Sequence, residues 1–409
     1  MQQPWSLSFE ETSAPLLAPI ARQIPAPTPA LHFPQQEDDR SVPKDPKRIA
    51  RGICHSILEQ QFAWRDGEFE LRFSWLSVAK VEFRSVQDPW LNRWSGPLTD
   101  QPQALAALMR LRWAVGSAPL MARHPELGFQ VLDDTWCKDA LSADLPLFEE
   151  WASLLAMGEN PLPPHVLEPA GQLLGKHFEA LIAFWLDASP HFRLRAHSVQ
   201  LQDDKRTIGE LDFLVDDIHR GRTLHLEVAS KFYLAAEDGN AWSNWVGPSG
   251  RHDTLEGKMN KLVNQLAASR LPAAKTFMHQ ERISTPEPVL MMKGWFFHHH
   301  SRLHQHRPPK YAHPEYAAGW WCKPDEAHHV MGSEHVRILP LPKGRWLGKF
   351  HPTDGDPPLH WSRLEAVLHD HFSRTHRALM CAVVIEGDAG WEEISRGFVV
   401  HPKWPEIRK

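Results

Sequence analysis

Apolar residues recur at three- and four-residue steps in several stretches of the chain. Over residues 102–115 the repeat is Leu105, Leu108, Met109 and Leu111, the period of an amphipathic helix. Residues 145–157 repeat it, with Pro146 near the start, where a helix tolerates proline. Leu173, Leu174, Phe178, Leu181, Ile182 and Trp185 form a third stripe, bounded by Gly171 and Pro190. A fourth, over 253–268, carries Leu255, Met259, Leu262, Val263 and Leu266, and a further helix is expected over 361–372. Between the third and fourth stripes the period shortens. Residues 192–201 alternate, with Phe192, Leu194, Ala196 and Ser198 on one face; 208–215 and 223–234 follow as strands, and 289–297 closes the set. Alternation in Phe69, Leu71 and Phe73, then in Val78, Val81 and Phe83, predicts a short hairpin over 68–84, and 380–385 reads as a strand.

These elements divide the chain. Residues 1–46 hold eight prolines from Pro15 to Pro46 and read as an extended, disordered tail. Residues 47–165 are mainly helical, 166–300 run helix, three strands, helix, strand, and 301–409 are a mixed α/β extension. The fold class is α/β.

The turn from Asp217 to Arg222 contains Gly221, suited to a positive φ. If the hairpin closes between Asp217 and Arg222, Asp212 falls directly opposite Glu227. Side chains two apart share a face, so Glu210 and Asp212 lie with Glu227, Ala229 and Lys231. Leu211, Phe213, Val215, Leu226, Val228 and Phe232 take the other face as core. Opposed like charges with Cβ atoms about 5 Å apart repel, and a divalent cation with oxygen ligands, such as Mg²⁺, would compensate them. The same pattern also fits a solvated sheet face whose charges pair with Lys231 and Arg222.

Composition narrows the classes. The net charge of −5 argues against a protein that coats nucleic acid. Residues 251–310, however, hold ten Lys/Arg against four Asp/Glu, and Lys258, Lys261 and Gln265 share a helix face able to meet a phosphate backbone. The four cysteines form no CxxC pair, and no apolar run reaches the roughly 18 residues of a membrane span. With no secretory leader visible, a cytoplasmic location is expected. His298, His299, His300, His304 and His306 read as a polar surface loop rather than a zinc site. No phosphate-loop, GxSxG or HExxH motif is present.

Glu179 on a helix, then Gly209-Glu210-Leu211-Asp212, then Glu227-Val228-Ala229-Ser230-Lys231 resembles the PD-(D/E)xK phosphodiesterase superfamily. Gly175-Lys176-His177-Phe178-Glu179, the Gly209–Leu214 run and Gly319-Trp320-Trp321 look more closely like a proteobacterial family of uncharacterised proteins grouped with these nucleases. The resemblance implies a restriction-endonuclease-like core and a Mg²⁺- or Mn²⁺-dependent nuclease acting on nucleic acid, DNA more than RNA. It implies that Asp212, Glu227 and Glu179 bind the metal and that Lys231 completes the catalytic set. The superfamily lysine stands two residues after the acidic one, where this chain has Ala229. That departure leaves open a binding module without catalysis; a protein-interaction scaffold using the proline-rich tail is the third possibility.

Overall fold

The apolar stripes become helices whose ends are fixed by short-range hydrogen bonds. The computed structural model describes residues 64–65, 68–69, 101–167, 173–204, 206–303, 307–350, 357–387 and 390–406. Helix α1 (Pro102–Gly116) buries Leu105, Leu108 and Leu111 as its period requires. Helix α2 (Asp134–Ala143) starts where the Asp133 carboxylate accepts the Trp136 backbone N–H at 2.7 Å. It is followed by α3 (Leu145–Ala156) and α4 (Leu174–Ala188). Helix α4 buries Leu174, Phe178, Leu181, Ile182 and Trp185, each side chain contributing about 1.5–3 kcal/mol by leaving water. Helix α5 (Leu255–Ala267) begins at Thr254, whose hydroxyl accepts the Gly257 N–H. Val263, expected in its stripe, is instead half exposed on the outer side. Helices α6 (Pro272–Gln280) and α7 (Trp361–Arg374) complete the set of longer helices among the described residues.

Eight longer strands build one mixed sheet. They are β1 (Phe192–Asp203), β2 (Arg206–Asp217), β3 (Arg222–Ala235), β4 (Glu287–His299), β5 (Ala317–Cys322), β6 (Arg337–Leu341), β7 (Leu379–Gly387) and β8 (Gly390–Val399). Their order across the sheet is β6-β7-β8-β5-β4-β3-β2-β1. The outer pairs on both sides are antiparallel, while β3, β4, β5 and β8 run parallel through the middle. Two-residue strands add at the margins: Gln130–Val131 beside β4 and Trp245–Val246 beside β3. Central β4 is buried almost throughout, as a parallel strand covered on both faces must be. The 301–409 segment is therefore not a separate layer; β5 to β8 extend the sheet that β1 to β4 begin.

Between β3 and β4 the backbones come unusually close. Gly294 pairs with Lys231 and has a φ of +141°, and a Cβ there would lie 1.7 Å from the Lys231 carbonyl oxygen. Buried polar pairs pin the layers together. Trp136 Nε1 donates to Asp217 at 3.0 Å, and Trp185 Nε1 donates to Asp144 at 2.7 Å. On β8, Arg396 makes two 2.6 Å bonds to the Glu393 carboxylate and donates to the Trp346 carbonyl at 2.9 Å.

The hairpin expected over 68–84 differs where it can be followed: Trp64–Arg65 pairs with Glu68–Phe69, so Phe69 already lies on a second strand. The rest of that hairpin, the tail at 1–46 and most of 47–100 lie outside the described residues. The expected face of β1 also fails. The register shifts between Leu194 and Ala196, and Ser198 takes a φ of +53°. Phe192 and Leu194 consequently pack in the large core, and Ala196 in a different cluster with Leu201 and Ala268.

Candidate metal-binding acidic site

The β2–β3 hairpin closes at Asp217 opposite Arg222, and its register runs to Phe213 opposite Leu226. The next residues outward are Asp212 and Glu227. Here a side chain takes over from the ladder: Asp212 Oδ2 accepts the Val228 N–H at 3.1 Å. Asp212 and Glu227 are 9% and 1% exposed, so two carboxylates stand side by side in the interior where strands built for burial meet.

Their charges act on one another. Burial and then the Glu227 charge push the Asp212 carboxyl up to about 7, while the Val228 N–H pulls the other way. Glu179, on α4, and Glu210 add smaller upward pushes. Four acidic side chains thus lie within electrostatic reach of one point. Lys176 balances part of this charge: its ammonium meets Glu179 at 2.5 Å, which, against the opposing effect of burial, raises its pKa.

Residues that the sequence did not single out complete the surroundings. His225, fully buried two positions before Glu227 on β3, has Nε2 3.1 Å from Glu227 Oε1. The Nε2–H of this ring can donate there and so hold the carboxylate in place. The histidine-x-glutamate alternation on one strand face was the available sequence clue. His197 stacks on Phe213 with ring centroids 4.5 Å apart. Burial holds its imidazole below the ordinary range, against the field of Glu179.

The lysines are arranged differently from expectation. Lys231, expected to point toward the acidic pair, has its ammonium 3.0 Å from Asp253 Oδ1. Asp253 stands just before α5, where sequence spacing gave no reason to expect a partner. Lys258, expected to face a phosphate backbone, is half-buried, with Nζ 3.3 Å from Gln265 Oε1. Burial and then Lys231 depress its pKa; the charges of Glu227 and Asp212 oppose this. Lys258 thus lies within the electrostatic field of the acidic pair. Lys261 is exposed. Lys293, counted in the basic stretch, is fully buried and clamps the Val115 and Ser117 carbonyls, so part of that positive balance never reaches the surface. Leu211, expected on the core face with Phe213, packs instead with Leu201, Leu214 and Ala268.

The donors at this site are carboxylate oxygens, the set that hard divalent cations such as Mg²⁺ and Mn²⁺ prefer. Two buried, mutually repelling carboxylates, one already pushed toward protonation, fit a bound cation better than any neutral ligand.

Fold and site define a mixed α/β protein with a buried acidic cluster at the junction of two central strands. Over residues 109–400 the chain matches the family described as "Domain of unknown function (DUF1853)", and it belongs to that family. No curated protein and no solved structure matches the chain. No helix among the described residues is long and apolar enough to cross a membrane.

Proposed function

We propose that the chain is a divalent-metal-dependent phosphodiesterase of the PD-(D/E)xK type that cleaves nucleic acid, DNA in preference to RNA. One observation carries this reading: the β2–β3 ladder gives way at Asp212 and Glu227, leaving both carboxylates buried and in repulsion. The order α4, β1-β2-β3 meander, α5, then β4 parallel to β3 supports it, because this is the order of a restriction-endonuclease-like core. Asp212 and Glu227, with Glu179 nearby, would hold Mg²⁺ or Mn²⁺, and the chemistry such an ion would supply is polarisation of a phosphoryl oxygen and a lowered pKa for a bound water. His225 orients Glu227, and the Val228 N–H orients Asp212. Lys231 is engaged by Asp253, so we assign to Lys258 the stabilisation of phosphoryl charge that the resemblance gives to a lysine. Lys261 and Gln265 extend the same helix toward the polynucleotide.

A second reading, a nucleic-acid-binding module without catalysis, is favoured by Ala229 at the usual lysine position and its burial in an apolar cluster. Cleavage of single-stranded DNA, duplex DNA and RNA is measured with Mg²⁺ and with Mn²⁺. Cleavage by the wild type that disappears in Asp212→Asn and Glu227→Gln is expected. Binding without cleavage on every substrate would select the second reading; neither binding nor cleavage would reject both.

A further inference from the structure

Glu227 is the register partner of Leu290, and β4 continues from there to His299. At about 3.3 Å per residue, its end lies roughly 30 Å from the acidic pair. A second group of donors converges at this end. His299, His300 and Glu326 each offer a ligand atom, and these atoms lie within 4.8 Å of one another. His299 is the last residue of β4, His300 opens the turn His300–Arg302, and Glu326 closes the turn Pro324–Glu326 after β5. β4 and β5 are parallel neighbours, so their C-terminal ends emerge at the same edge. That topology joins residues far apart in sequence.

The group is already oriented. His299 Nε2 lies 3.2 Å from Glu326 Oε2, and His300 Nε2 lies 3.8 Å from Glu326 Oε1. Behind the ring, His299 Nδ1 is 2.8 Å from Ser301 Oγ, and the ring packs edge-on to Trp321 at 4.5 Å. A proton on Nδ1 donated to Ser301 leaves the Nε2 lone pair facing inward, the tautomer a metal requires. Glu326 is held in turn by the Lys323 N–H at 2.8 Å. Bonds of about 2.0–2.1 Å in a tetrahedral Zn²⁺ site space the ligand atoms by roughly 3.4 Å. The contacts of 3.2 Å to Oε2 and 3.8 Å to Oε1 are each near that spacing, and with one ligand atom from each residue the set spans no more than 4.8 Å, so a small rotation of the carboxylate closes it. Two imidazoles with one carboxylate suit Zn²⁺, whereas Mg²⁺ prefers oxygen donors alone.

We propose that His299 Nε2, His300 Nε2 and the Glu326 carboxylate form a Zn²⁺ site that ties the end of β4 to the turn after β5. Three protein ligands leave a fourth position for water. The site is independent of the nuclease reading, since it shares no residue with the acidic cluster.

The test uses the full-length chain carrying Asp212→Asn, in excess Mg²⁺, so that the acidic cluster does not compete. Calorimetric titration with ZnCl₂ is expected to show one equivalent bound. Adding Glu326→Gln or His299→Ala should weaken binding by about 100-fold or more. Co²⁺ in place of Zn²⁺ should give the visible ligand-field bands of a tetrahedral site, lost in the same two variants. No stoichiometric Zn²⁺ uptake, or uptake unaltered in both variants, overturns the proposal. If the variants fail to fold, the Co²⁺ spectrum of the Asp212→Asn chain decides: tetrahedral bands support the site, and their absence overturns it.

Discussion

Asp212→Asn should make the metal-free protein more stable at pH 8 and leave it no more stable at pH 4. In the folded chain the Asp212 carboxyl is pushed from its ordinary 3.8 up to about 7. The folded state therefore holds this proton more tightly than the unfolded chain does. Below about pH 4 both states are protonated and nothing is lost. Stability then falls as pH rises through the window from 3.8 to about 7, and the full penalty applies above it. At about 1.4 kcal/mol per tenfold, the penalty reaches roughly 4 kcal/mol. Asparagine is nearly isosteric, its Oδ1 can still accept the Val228 N–H, and it carries no charge. Burying the extra amide donor returns one or two kcal/mol, leaving a net gain of about 2–3 kcal/mol at pH 8. For a chain of this size that is a rise in Tm of about 5 °C. Mg²⁺ should raise the wild-type Tm by binding the folded state alone, and should leave Asp212→Asn unmoved. Thermal melts at pH 4 and pH 8, with and without Mg²⁺, read four values for each of the two proteins. A variant equally destabilised at both pH values, or one that keeps the Mg²⁺ shift, would refute the reasoning.

Arg396→Leu leaves Glu393 buried without its partner and should cost about 3–5 kcal/mol in urea denaturation; the Glu393→Leu, Arg396→Leu double variant should cost less. Gly294→Ala forces a Cβ into the Lys231 carbonyl at a φ that L-residues avoid, and should cost about 3 kcal/mol or more, read as a lower urea midpoint. In the cleavage assay, Lys258→Ala should lower kcat about 100-fold or more, whereas Lys231→Ala should lower it less; the reverse ranking returns the role to Lys231.

Much of the frame was legible because local periodicity and tertiary burial agree. The α4 stripe is buried from Leu174 to Trp185 as its spacing requires, although Leu173, placed just before the helix, is exposed, and the Asp217–Arg222 closure set the β2–β3 register as far as Phe213 and Leu226. What the sequence hid depends on elements remote in the chain. Nothing near Lys231 announces that Asp253 will claim its ammonium, and nothing near His299 points to Glu326 across a parallel crossover. Lys293 looked like one more surface cation, yet its tip reaches the backbone carbonyls at the end of α1. Strand alternation also presumes an unbroken pleat, and β1 and β2 break theirs.

That break coincides with the acidic site. On β1 and β2 the register pairs His197 with Phe213 and Val199 with Leu211, so Ser198 and Asp212 are the residues between. Ser198 is held at a φ of +53°, a conformation that non-glycine residues adopt at a cost of about 1 kcal/mol or more. Leu211 and Leu214, three positions apart, share one cluster, while Phe213 and Val215 pack in another. Plain alternation forbids that distribution, so β2 changes face at Asp212. The change turns the carboxylate toward the Val228 N–H and into the fields of both Glu179, on the helix that packs on the large core, and Glu227, whose strand neighbour Ala229 packs in a different cluster. A straight strand would leave Asp212 facing one layer and one of those two partners. The irregular backbone at Ser198 and the change of face at Asp212 are thus what place Asp212 in the fields of acids from both α4 and β3.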